Sequence, residues 1–493
     1  MLIALNLFKI KFILFLILFL SCSKKEYSEN PPNFIVIFTD DQGYGDLSCF
    51  GAKHVKTPFI DQLAVEGIKL TSFYVAASVC TPSRAALLTG SYPKRVDMSS
   101  GGIYNEENNK PFVVTLAADP KGLNPNEITI AEVLKRKNYV TGIFGKWHLG
   151  DQLNFLPTRQ GFDEFFGIPY SHDIHTFHPN RGNSEMWNFP PLPLLDGEKV
   201  IELDPDADNL TKRITEKALD FIQRNRERPF FLYIPHPLPH NPLHVSSKYM
   251  ENVSDSLKTI LGKEENSINY TARNELYPHA ISEIDDSVGE IINLLKDLDL
   301  ERKTLVIFTT DNGPGTRLAS AGPLRGRKGS TFEGGMRVPA IAWWPGTIPA
   351  GKTSDALSTT MDLLPTLAGL AKADIPNDRV IDGKDIWNIL SGKEDEKSPH
   401  KNFFYFFNGR LEAVRSGPWK YREINNKAQL FNLDKDIGER NNVLLENPII
   451  VKKMKKYMVE MEDELGKGSI LGKGVRKAGW ITNPTPLNFQ SNN

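Results

Sequence analysis

The stretch Phe34-Ile-Val-Ile-Phe-Thr39, followed at once by Asp40-Asp41, decides the fold. Its unbroken run of β-branched and aromatic residues predicts a strand buried on both faces, as in a parallel sheet. Polar residues directly after such a strand lie at its carboxyl end, which is the edge where open α/β sheets place their sites. The stretch therefore predicts both a central strand and the position of a site.

Three further apolar runs share this design. They are Tyr139–Phe144 before Gly145-Lys146-Trp147-His148, Phe230–Ile234 before Pro235-His236 and then His240, and Thr304–Thr310 before Asp311-Asn312. Helical patterns lie between the runs: Thr57-Pro58 opens one that Gly67 closes, Ile128–Lys135 is a second, and Ile281–Leu295 carries an apolar stripe typical of core packing. Alternating strands and helices predict an α/β fold with a large, mostly parallel sheet.

The residue composition and the predicted secondary structure of the chain change near residue 393. The segment Lys393–Lys401 is polar and charged, as a linker would be. Short strand-like pieces follow at 403–407, 411–415, 419–422 and 429–432, separated by turn residues, and a helical pattern carries Val451, Met454, Tyr457 and Met458. We expect a large domain over 31–392, and a small antiparallel sheet with a helix and a tail over 402–493.

The N-terminus has the order of an export signal. Lys9 and Lys11 precede the apolar run Phe12–Leu20, which is too short for a membrane span, and Ser21-Cys22 follows. The pattern predicts a signal peptide over 1–21. It also resembles a bacterial lipoprotein box, although Phe19 stands where such boxes prefer Leu, and this implies lipidation of Cys22. A plain signal peptide cut nearby is the alternative. We expect an exported protein, periplasmic or at the cell surface, that touches the membrane only through the lipid.

Composition narrows the function further. The net charge of −1 over 493 residues leaves no basic field for nucleic acid, so no nucleic acid partner is expected. The three cysteines are Cys22, Cys49 and Cys80. With Cys22 as an anchor and Cys80 at a candidate site, no structural disulfide is expected.

The most specific segment is Cys80-Thr-Pro-Ser-Arg84, followed by Thr89-Gly90. Pro82 predicts a helix start, so Cys80 would lie at a helix N-terminus, where free N–H groups favour anions. The segment resembles the signature of type I sulfatases. The resemblance implies that a formylglycine-generating maturation enzyme oxidises Cys80 to formylglycine. Hydration of its aldehyde gives a geminal diol, and one hydroxyl attacks sulfur to form a covalent sulfated intermediate. Arg84 would hold the nucleophile or sulfate oxygens by charge-assisted bonds.

Asp40-Asp41 and Asp311-Asn312 are the candidate metal ligands. Either pair alone is more often a turn or a helix cap. Two such pairs after two similar strands would repel unless a cation lies between them, and their hard oxygen donors suit Ca²⁺ or Mg²⁺. The sulfatase resemblance implies that these residues, with an oxygen derived from Cys80, hold one Ca²⁺.

The resemblance also assigns roles to residues in four other motifs. Lys146 would contact formylglycine and sulfate, His148 would take a proton when sulfate is expelled, and Lys328 would bind sulfate. His240 aligns with the residue near the leaving oxygen, with His236 and His244 as alternatives, and Ser171 resembles a sulfate contact of the arylsulfatase A branch. The stretch Phe177–Pro193 either lines the substrate entrance or is a packed surface loop.

The resemblance spans residues 31–440 and departs from the family pattern at Ile437, within the tail motif Leu430–Arg440. It implies an alkaline-phosphatase-like α/β sandwich and hydrolysis of a sulfated oligo- or polysaccharide, such as ulvan, carrageenan, fucoidan or a glycosaminoglycan fragment. Two alternatives stay open: a phosphomonoester or phosphonate hydrolase of the same superfamily, and a non-catalytic glycan-binding lipoprotein.

Overall fold

The computed structural model describes residues 31–105, 108–264, 267–393, 397–468 and 470–489. The predicted signal peptide and the predicted anchor Cys22 lie outside these residues. Within them, no helix has the length and hydropathy required to cross a bilayer.

Most strands of the described residues belong to one large mixed sheet. The strands are β1 Asn33–Thr39, β2 Ile68–Tyr74, β3 Tyr104–Asn105, β4 Lys110–Pro111, β5 Lys121–Gly122, β6 Val140–Lys146, β7 Glu164–Ile168, β8 Pro193–Asp196, β9 Lys199–Leu203, β10 Phe230–Pro235, β11 Thr304–Thr310, β12 Arg337–Trp343, β13 Lys352–Ser354, β14 Ser358–Thr359, β15 Phe403–Phe407, β16 Arg410–Ser416, β17 Trp419–Ile424, β18 Lys427–Asn432 and β19 Gly479–Trp480.

The large sheet has the strand order β13-β2-β12-β11-β1-β10-β6-β7-β8-β9, with β14 beside β2. Its centre, from β11 through β1, β10 and β6 to β7, is entirely parallel. The strands flanking this centre, β12 and β8, pair antiparallel with it. Every residue of β1 and β11 is buried, as their continuous apolar character predicts.

The α-helices are α1 Pro58–Glu66, α2 Cys80–Thr89, α3 Ile130–Lys135, α4 Leu210–Asn225, α5 Ser247–Met250, α6 Asp255–Leu261, α7 Tyr270–Arg273, α8 Tyr277–Asp297, α9 Glu333–Met336, α10 Leu363–Leu370, α11 Trp387–Leu390 and α12 Pro448–Leu465. Single 3-10 turns span Ser48–Phe50, Leu153–Phe155, Pro157–Arg159, Glu185–Trp187, Ala207–Asn209, Asn274–Leu276, Glu301–Lys303 and Thr360–Asp362.

The two faces of the large sheet carry separate cores. Alternate residues of β1 point to opposite faces, so that Phe34, Val36 and Phe38 join one core while Ile35 and Ile37 join the other. Helices α2, α3 and α10 cover the first face, and helices α1, α4 and α8 cover the second. This three-layer arrangement confirms the predicted α/β sandwich.

The C-terminal part forms the predicted small antiparallel sheet, in the order β15-β16-β17-β18. Helix α12 packs on it through Met454, Tyr457 and Met458. The same core takes in Tyr74 and Ala86 from the large domain, so the two parts share buried surface. The tail then runs back to the large domain, where β19 pairs with β5 and Leu487 enters the first core.

Candidate active site

Two strand ends bring the carboxylates together. Because β1 and β11 pair in parallel with Thr39 opposite Thr310, Asp40 and Asp311 leave the sheet at the same level. The backbone N–H of Asp41 donates to Asp311 Oδ1 at 3.0 Å. Asp41 has a φ of 66°, and a Cβ atom on Gly315 would lie only 1.9 Å from its Oδ2. The chain therefore requires glycine at 315 to leave room for this carboxylate.

Cys80 is the first residue of α2, and the whole helix is buried. Its Sγ donates to Asp40 Oδ1 at 3.3 Å, and Lys328 Nζ lies 3.5 Å from the same sulfur. Burial, Asp311 and Asp40 raise the pKa of the Cys80 thiol well above its ordinary value. The unmodified residue is thus a protonated thiol held at a helix start, among charged groups.

Arg84 lies one turn further along α2 and is completely buried. Its Nε and Nη2 donate to Asp311 Oδ2 at 3.1 and 2.8 Å, and its Nη1 donates to the carbonyl of Lys146 at 2.7 Å. Asp40 lies 3.6 Å from Nη2. Arg84 therefore ties two strand ends and the carbonyl of a third to the helix that carries Cys80.

Lys146 ends β6 and points into the same cluster. Its Nζ donates to Asp40 Oδ2 and, at 3.0 Å, to Ser171 Oγ. Burial lowers the pKa of Lys146, but Asp40 and Cys80 raise it, and the net direction is upward. Ser171 in turn bonds Asp173, a residue that the sequence reasoning missed. Burial raises the pKa of Asp173, whereas His240 and Ser171 lower it, and the lowering prevails.

His148 has a defined tautomer. Its Nε2 lies 3.0 Å from the carbonyl oxygen of Thr115, which can only accept, so the network assigns the ring proton to Nε2. Its Nδ1 is buried and has no hydrogen-bond partner in the part of the chain that the structure describes. Burial, Lys146 and Arg84 lower the pKa of His148 well below its ordinary value. The ring is therefore neutral, with a free acceptor.

The three candidate histidines of the 236–244 segment separate clearly. His240 Nε2 lies 3.6 Å from Asp41 Oδ2, inside the cluster. His236 instead contacts Ser287 of α8, and His244 bonds Asp208. Lys328 also reaches Asp41, at 2.8 Å, and burial lowers its pKa while Asp41 and Cys80 raise it more. Within the 236–244 segment, the structure brings His240 alone to the carboxylates.

The donor set fits a hard divalent cation. Ligand atoms of Asp40, Asp41, Cys80 and His240 lie within 4.8 Å of one another. The amide Nδ2 of Asn312 donates to Asp41 Oδ1 at 2.7 Å, while its buried Oδ1 has no hydrogen-bond partner among the described residues. An oxygen-rich, mostly buried group with an unused amide oxygen is the chemistry that Ca²⁺ prefers. Asp311 lies beside this group and uses both oxygens on Asp41 and Arg84.

Sequence reasoning missed three neighbours of the site. Thr115 holds His148, and Asp173 supports Ser171, as described above. The ring of His172 lies 5.6 Å from that of His240 in an edge-to-face contact. The run Ser171-His172-Asp173 directly after β7 was a usable signal, since it follows a buried strand as the other motifs do.

The aromatic stretch 177–193 packs largely on itself. The ring of His178 stacks on Trp187 at 4.8 Å, and Phe189 and Tyr270 contact the same ring edge-on. This arrangement favours the packed surface loop over the substrate entrance.

The fold and the cluster define a class of protein: a hydrolase of anionic esters, with its site at the carboxyl ends of a parallel sheet and a nucleophile position at a helix start. The chain belongs to the sulfatase family, whose model matches residues 32–373. A second model, the C-terminal part of N-sulphoglucosamine sulphohydrolase, matches residues 327–464.

Known sulfatases resemble this chain in sequence and in structure. Human arylsulfatase A is 39% identical over 412 residues, covering 79% of this chain and 74% of the relative. The N-acetylgalactosamine-6-sulfatase of Canis lupus familiaris is 38% identical over 406 residues, covering 79% and 71%. The crystal structure of Ps i-CgsB in complex with k-i-k-neocarrahexaose superposes with a TM-score of 0.71 at 29% identity, covering 88% of this chain and 93% of that one. The chain is accordingly a sulfuric ester hydrolase with the alkaline-phosphatase-like fold.

Proposed function

We propose that this sulfatase removes sulfate from a sulfated oligo- or polysaccharide, using formylglycine made from Cys80 and one bound Ca²⁺. The observation that carries the proposal is the surroundings of Cys80. Its Sγ lies at a buried helix start, in contact with Asp40 and Lys328, and the rest of the charged cluster surrounds it. A bound k-i-k-neocarrahexaose in the related Ps i-CgsB supports a sulfated carbohydrate as the substrate class.

Oxidation of Cys80 by a maturation enzyme would supply a hydrated aldehyde, one hydroxyl of which is the nucleophile for sulfur. The Sγ atom occupies the place of that hydroxyl, so its contacts show which groups would serve it. Asp40 accepts the Sγ proton and is placed to accept the proton of the nucleophile. Asp311, whose Oδ2 already accepts from Arg84, is less available for this role.

Three cations of the cluster are placed to hold sulfate oxygens and the nucleophile. Lys328 donates to Asp41, Lys146 donates to Asp40, and Arg84 of α2 donates to Asp311. Fixed positive charges in a dry site stabilise negative charge that develops on sulfate oxygens, because no solvent must reorganise. Ser171, held by Lys146 Nζ, offers one further donor to sulfate.

Two histidines divide the proton transfers. The free Nδ1 of neutral His148 is suited to take a proton from the second hydroxyl when sulfate leaves. His240, on the Asp41 side of the cluster and partly exposed, is placed to protonate the leaving sugar oxygen. A sugar alkoxide is a poor leaving group, so this proton matters for turnover.

Asp40, Asp41, Asp311 and Asn312 would hold the cation, together with the oxygen derived from Cys80. When bound, Ca²⁺ would polarise a sulfate oxygen and lower the cost of ionising the nucleophile. The unpartnered Oδ1 of Asn312 supports this ligand set. Buried carboxylates at two neighbouring strand ends would otherwise repel one another.

The signal-like segment 1–21 and the lipoprotein-like Cys22 support export and lipid anchoring, at the periplasmic face or the cell surface. An extracytoplasmic enzyme would meet carrageenan, fucoidan, ulvan or glycosaminoglycan fragments before they enter the cell. Incorporation of labelled palmitate into the wild-type protein, but not into Cys22→Ala, tests the anchor.

Turnover of matched aryl esters tests the reaction. We expect 4-nitrophenyl sulfate to be hydrolysed with a kcat/KM orders of magnitude above that for 4-nitrophenyl phosphate. Cys80→Ala should abolish this turnover, whereas Cys49→Ala, at a half-buried free cysteine outside the cluster, should retain it. A preference for phosphate would instead identify a phosphomonoester hydrolase. Equal loss in both cysteine variants would remove the assignment of Cys80.

A further inference from the structure

A cavity of about 380 Å³ lies outside the catalytic cluster. Residues of the ranges 94–104 and 110–121, the turn between β15 and β16, and residues 468, 471 and 480 line it; among them are Lys94, Lys121, Arg410, Tyr104 and Trp480. Its volume falls in the range of small-ligand sites, which is roughly 300–1,000 Å³. We refer to it as the basic cavity.

Cations dominate the lining of the basic cavity. Lys94, Lys110, Lys121 and Arg410 line it together with the carboxylate of Asp97, and Arg410 also pairs with Glu412 at 3.2 Å. Lys121 Nζ lies 3.2 Å from Asp97, which neutralises one of these cations. Burial lowers the pKa of Lys94 and Lys121 lowers it further, although Asp97 opposes both. An anionic ligand would relieve this repulsion and replace the water that the lysines have lost.

The lining also holds an unused polar group. Ser99 Oγ is buried and has no hydrogen-bond partner among the described residues. The ammonium group of Lys94 donates to the carbonyl of Gly468 at 2.6 Å. A buried hydroxyl without a protein partner is available to hydrogen-bond a ligand or a water.

Two exposed aromatic rings complete the cavity. Tyr104 is 56% exposed and Trp480 is 60% exposed, and both belong to the lining. Trp480 stands opposite Lys121 in the β19–β5 pair, which fixes the ring beside the cations. Exposed aromatic faces pack against the apolar C–H faces of sugar rings, while the cations suit sulfate groups. Aromatic faces beside a cationic pocket match a sulfated sugar better than a bare anion.

The chain links the basic cavity to the catalytic cluster over a short distance. Pro111 lines the cavity, and Thr115, four residues later, holds His148, so the two Cα atoms are at most about 14 Å apart. On the other side, Asn408 lines the cavity, and Phe406, two residues earlier, is bridged to Ala77 just before α2. The basic cavity therefore lies within a few residues of the segment that holds His148 and of the segment that pairs just before Cys80.

We propose that the basic cavity is a second subsite, which binds a sulfated sugar residue of the chain whose other sugar is being desulfated at Cys80. The inference rests on the proposed function and names a further part of its substrate. It predicts that the enzyme prefers sulfated oligosaccharides to single sulfated sugars. The cations would hold the sulfate of the second sugar, with Trp480 stacked on its ring.

Kinetics with substrates of two sizes test the subsite. We would compare matured full-length wild type, Trp480→Ala and Lys110→Met/Arg410→Met on 4-nitrophenyl sulfate and on tetrasaccharides of ι-carrageenan and chondroitin sulfate. Each variant should raise the KM for the hydrolysed tetrasaccharide roughly tenfold, from the loss of one stacking or two charge contacts. The kcat and KM for 4-nitrophenyl sulfate should stay unchanged in these variants, because this substrate is too small to occupy both the catalytic site and the basic cavity. Trp480→Phe, which keeps an aromatic face, should restore most of the affinity, and Lys212→Met on the outer face of α4 should behave as wild type.

Calorimetric binding of the same tetrasaccharides provides a readout that does not depend on turnover. Tetrasaccharide binding that weakens in the cavity variants supports the subsite. Unchanged tetrasaccharide KM and affinity in both variants would overturn it, as would the absence of tetrasaccharide binding to wild type. Failure of the proposed function has a different signature, because the matured wild type would then hydrolyse neither the aryl sulfate nor any tetrasaccharide.

Discussion

Replacing Arg84 with Met should destabilise the protein strongly, because it leaves the buried carboxylate of Asp311 without the cation that pairs with it. Arg84 and Asp311 are both fully buried, and two guanidinium nitrogens donate to the same Asp311 oxygen. The methionine side chain preserves most of the volume but none of the charge. Asp311 would then lose its cationic partner in a site with no access to water.

Removing one partner of a buried ion pair costs about 3–5 kcal/mol of unfolding free energy, because the other charge remains desolvated. Burial and Asp40 raise the pKa of Asp311 to about 7 even with Arg84 present. Loss of Arg84 removes a positive charge that lowers this pKa, so the pKa of Asp311 rises further in the variant. Proton uptake by Asp311 then softens the loss, and the cost grows as pH rises.

The assay is urea denaturation of wild type and Arg84→Met at about pH 8 in the presence of a chelator. Arg224→Met is a matched control, because Arg224 also bridges carboxylates but lies exposed on α4. Its loss should cost at most about 1 kcal/mol. Added Ca²⁺ should reduce the Arg84→Met penalty, since a cation among the carboxylates replaces part of the missing charge.

An Arg84→Met protein within about 1 kcal/mol of wild type in chelator would refute this reasoning. It would mean that Asp311 finds another partner or is protonated without cost. Equal losses in Arg84→Met and Arg224→Met would likewise show that burial does not control the energy of these pairs.

Three further predictions concern other parts of the molecule. Chelation should lower the midpoint of thermal unfolding, and Ca²⁺ should restore it, since a cation that binds the folded protein alone stabilises it by mass action. Glu283 accepts from the Ser246 backbone N–H, and burial raises its pKa to about 7. Folded Glu283 therefore keeps its proton at a pH where the unfolded residue loses it, so stability falls as pH rises from about 4 to about 7; Glu283→Gln should flatten this fall in urea denaturation. Lys420 lies between Glu333 and Glu439, 2.9 and 2.8 Å away, all in the shared core, so Lys420→Met should cost about 3–5 kcal/mol in the same assay.

Each of these predictions has a contrary outcome. Identical thermal midpoints with chelator and with Ca²⁺ would argue against a stabilising cation. A pH dependence that persists unchanged in Glu283→Gln would assign it to other groups. Lys456→Met, on the exposed face of α12, is the control for Lys420→Met, and similar stabilities of the two variants would show that the buried network contributes little.

The individual strands and helices were predictable from sequence, because each apolar run indicates a strand and the polar residues after it indicate the position of the site. The run Thr304–Thr310 is a strand with those bounds, and the helix after Thr57 ends before Gly67 as predicted. The first strand begins one residue earlier than predicted, at Asn33, and the strand before the Lys146 motif extends to Lys146 itself. These small differences arise because pairing with neighbouring strands, not the residue types alone, sets where a strand ends.

The long-range pairings were not predictable. β2 lies between β12 and β13, strands that come far later in the chain, and nothing in its own sequence specifies those partners. The return of the tail to β5 is of the same kind. Contacts between distant segments depend on how the whole chain packs, and the local propensity of a strand does not determine its partners.

Within the site, the residues that carry the chemistry were easier to predict from sequence than the residues that position them. The motif residues can be recognised by their residue type and by their position directly after a predicted strand. Thr115 acts through its backbone carbonyl, which any residue would offer, so no sequence signal distinguishes it. The sequence resemblance favoured His240 over His236 and His244, and the fold determines which of the three rings faces Asp41.

The central claim is that Cys80 must become formylglycine for sulfate esters to be hydrolysed. The most direct measurement is mass spectrometry of the tryptic peptide spanning residues 70–84, paired with the 4-nitrophenyl sulfate rate of the same preparation. Across preparations made with different amounts of a maturation enzyme, kcat should rise in proportion to the aldehyde-bearing fraction of the peptide and extrapolate to zero. Full turnover from protein whose Cys80 is entirely an unmodified thiol would contradict the account.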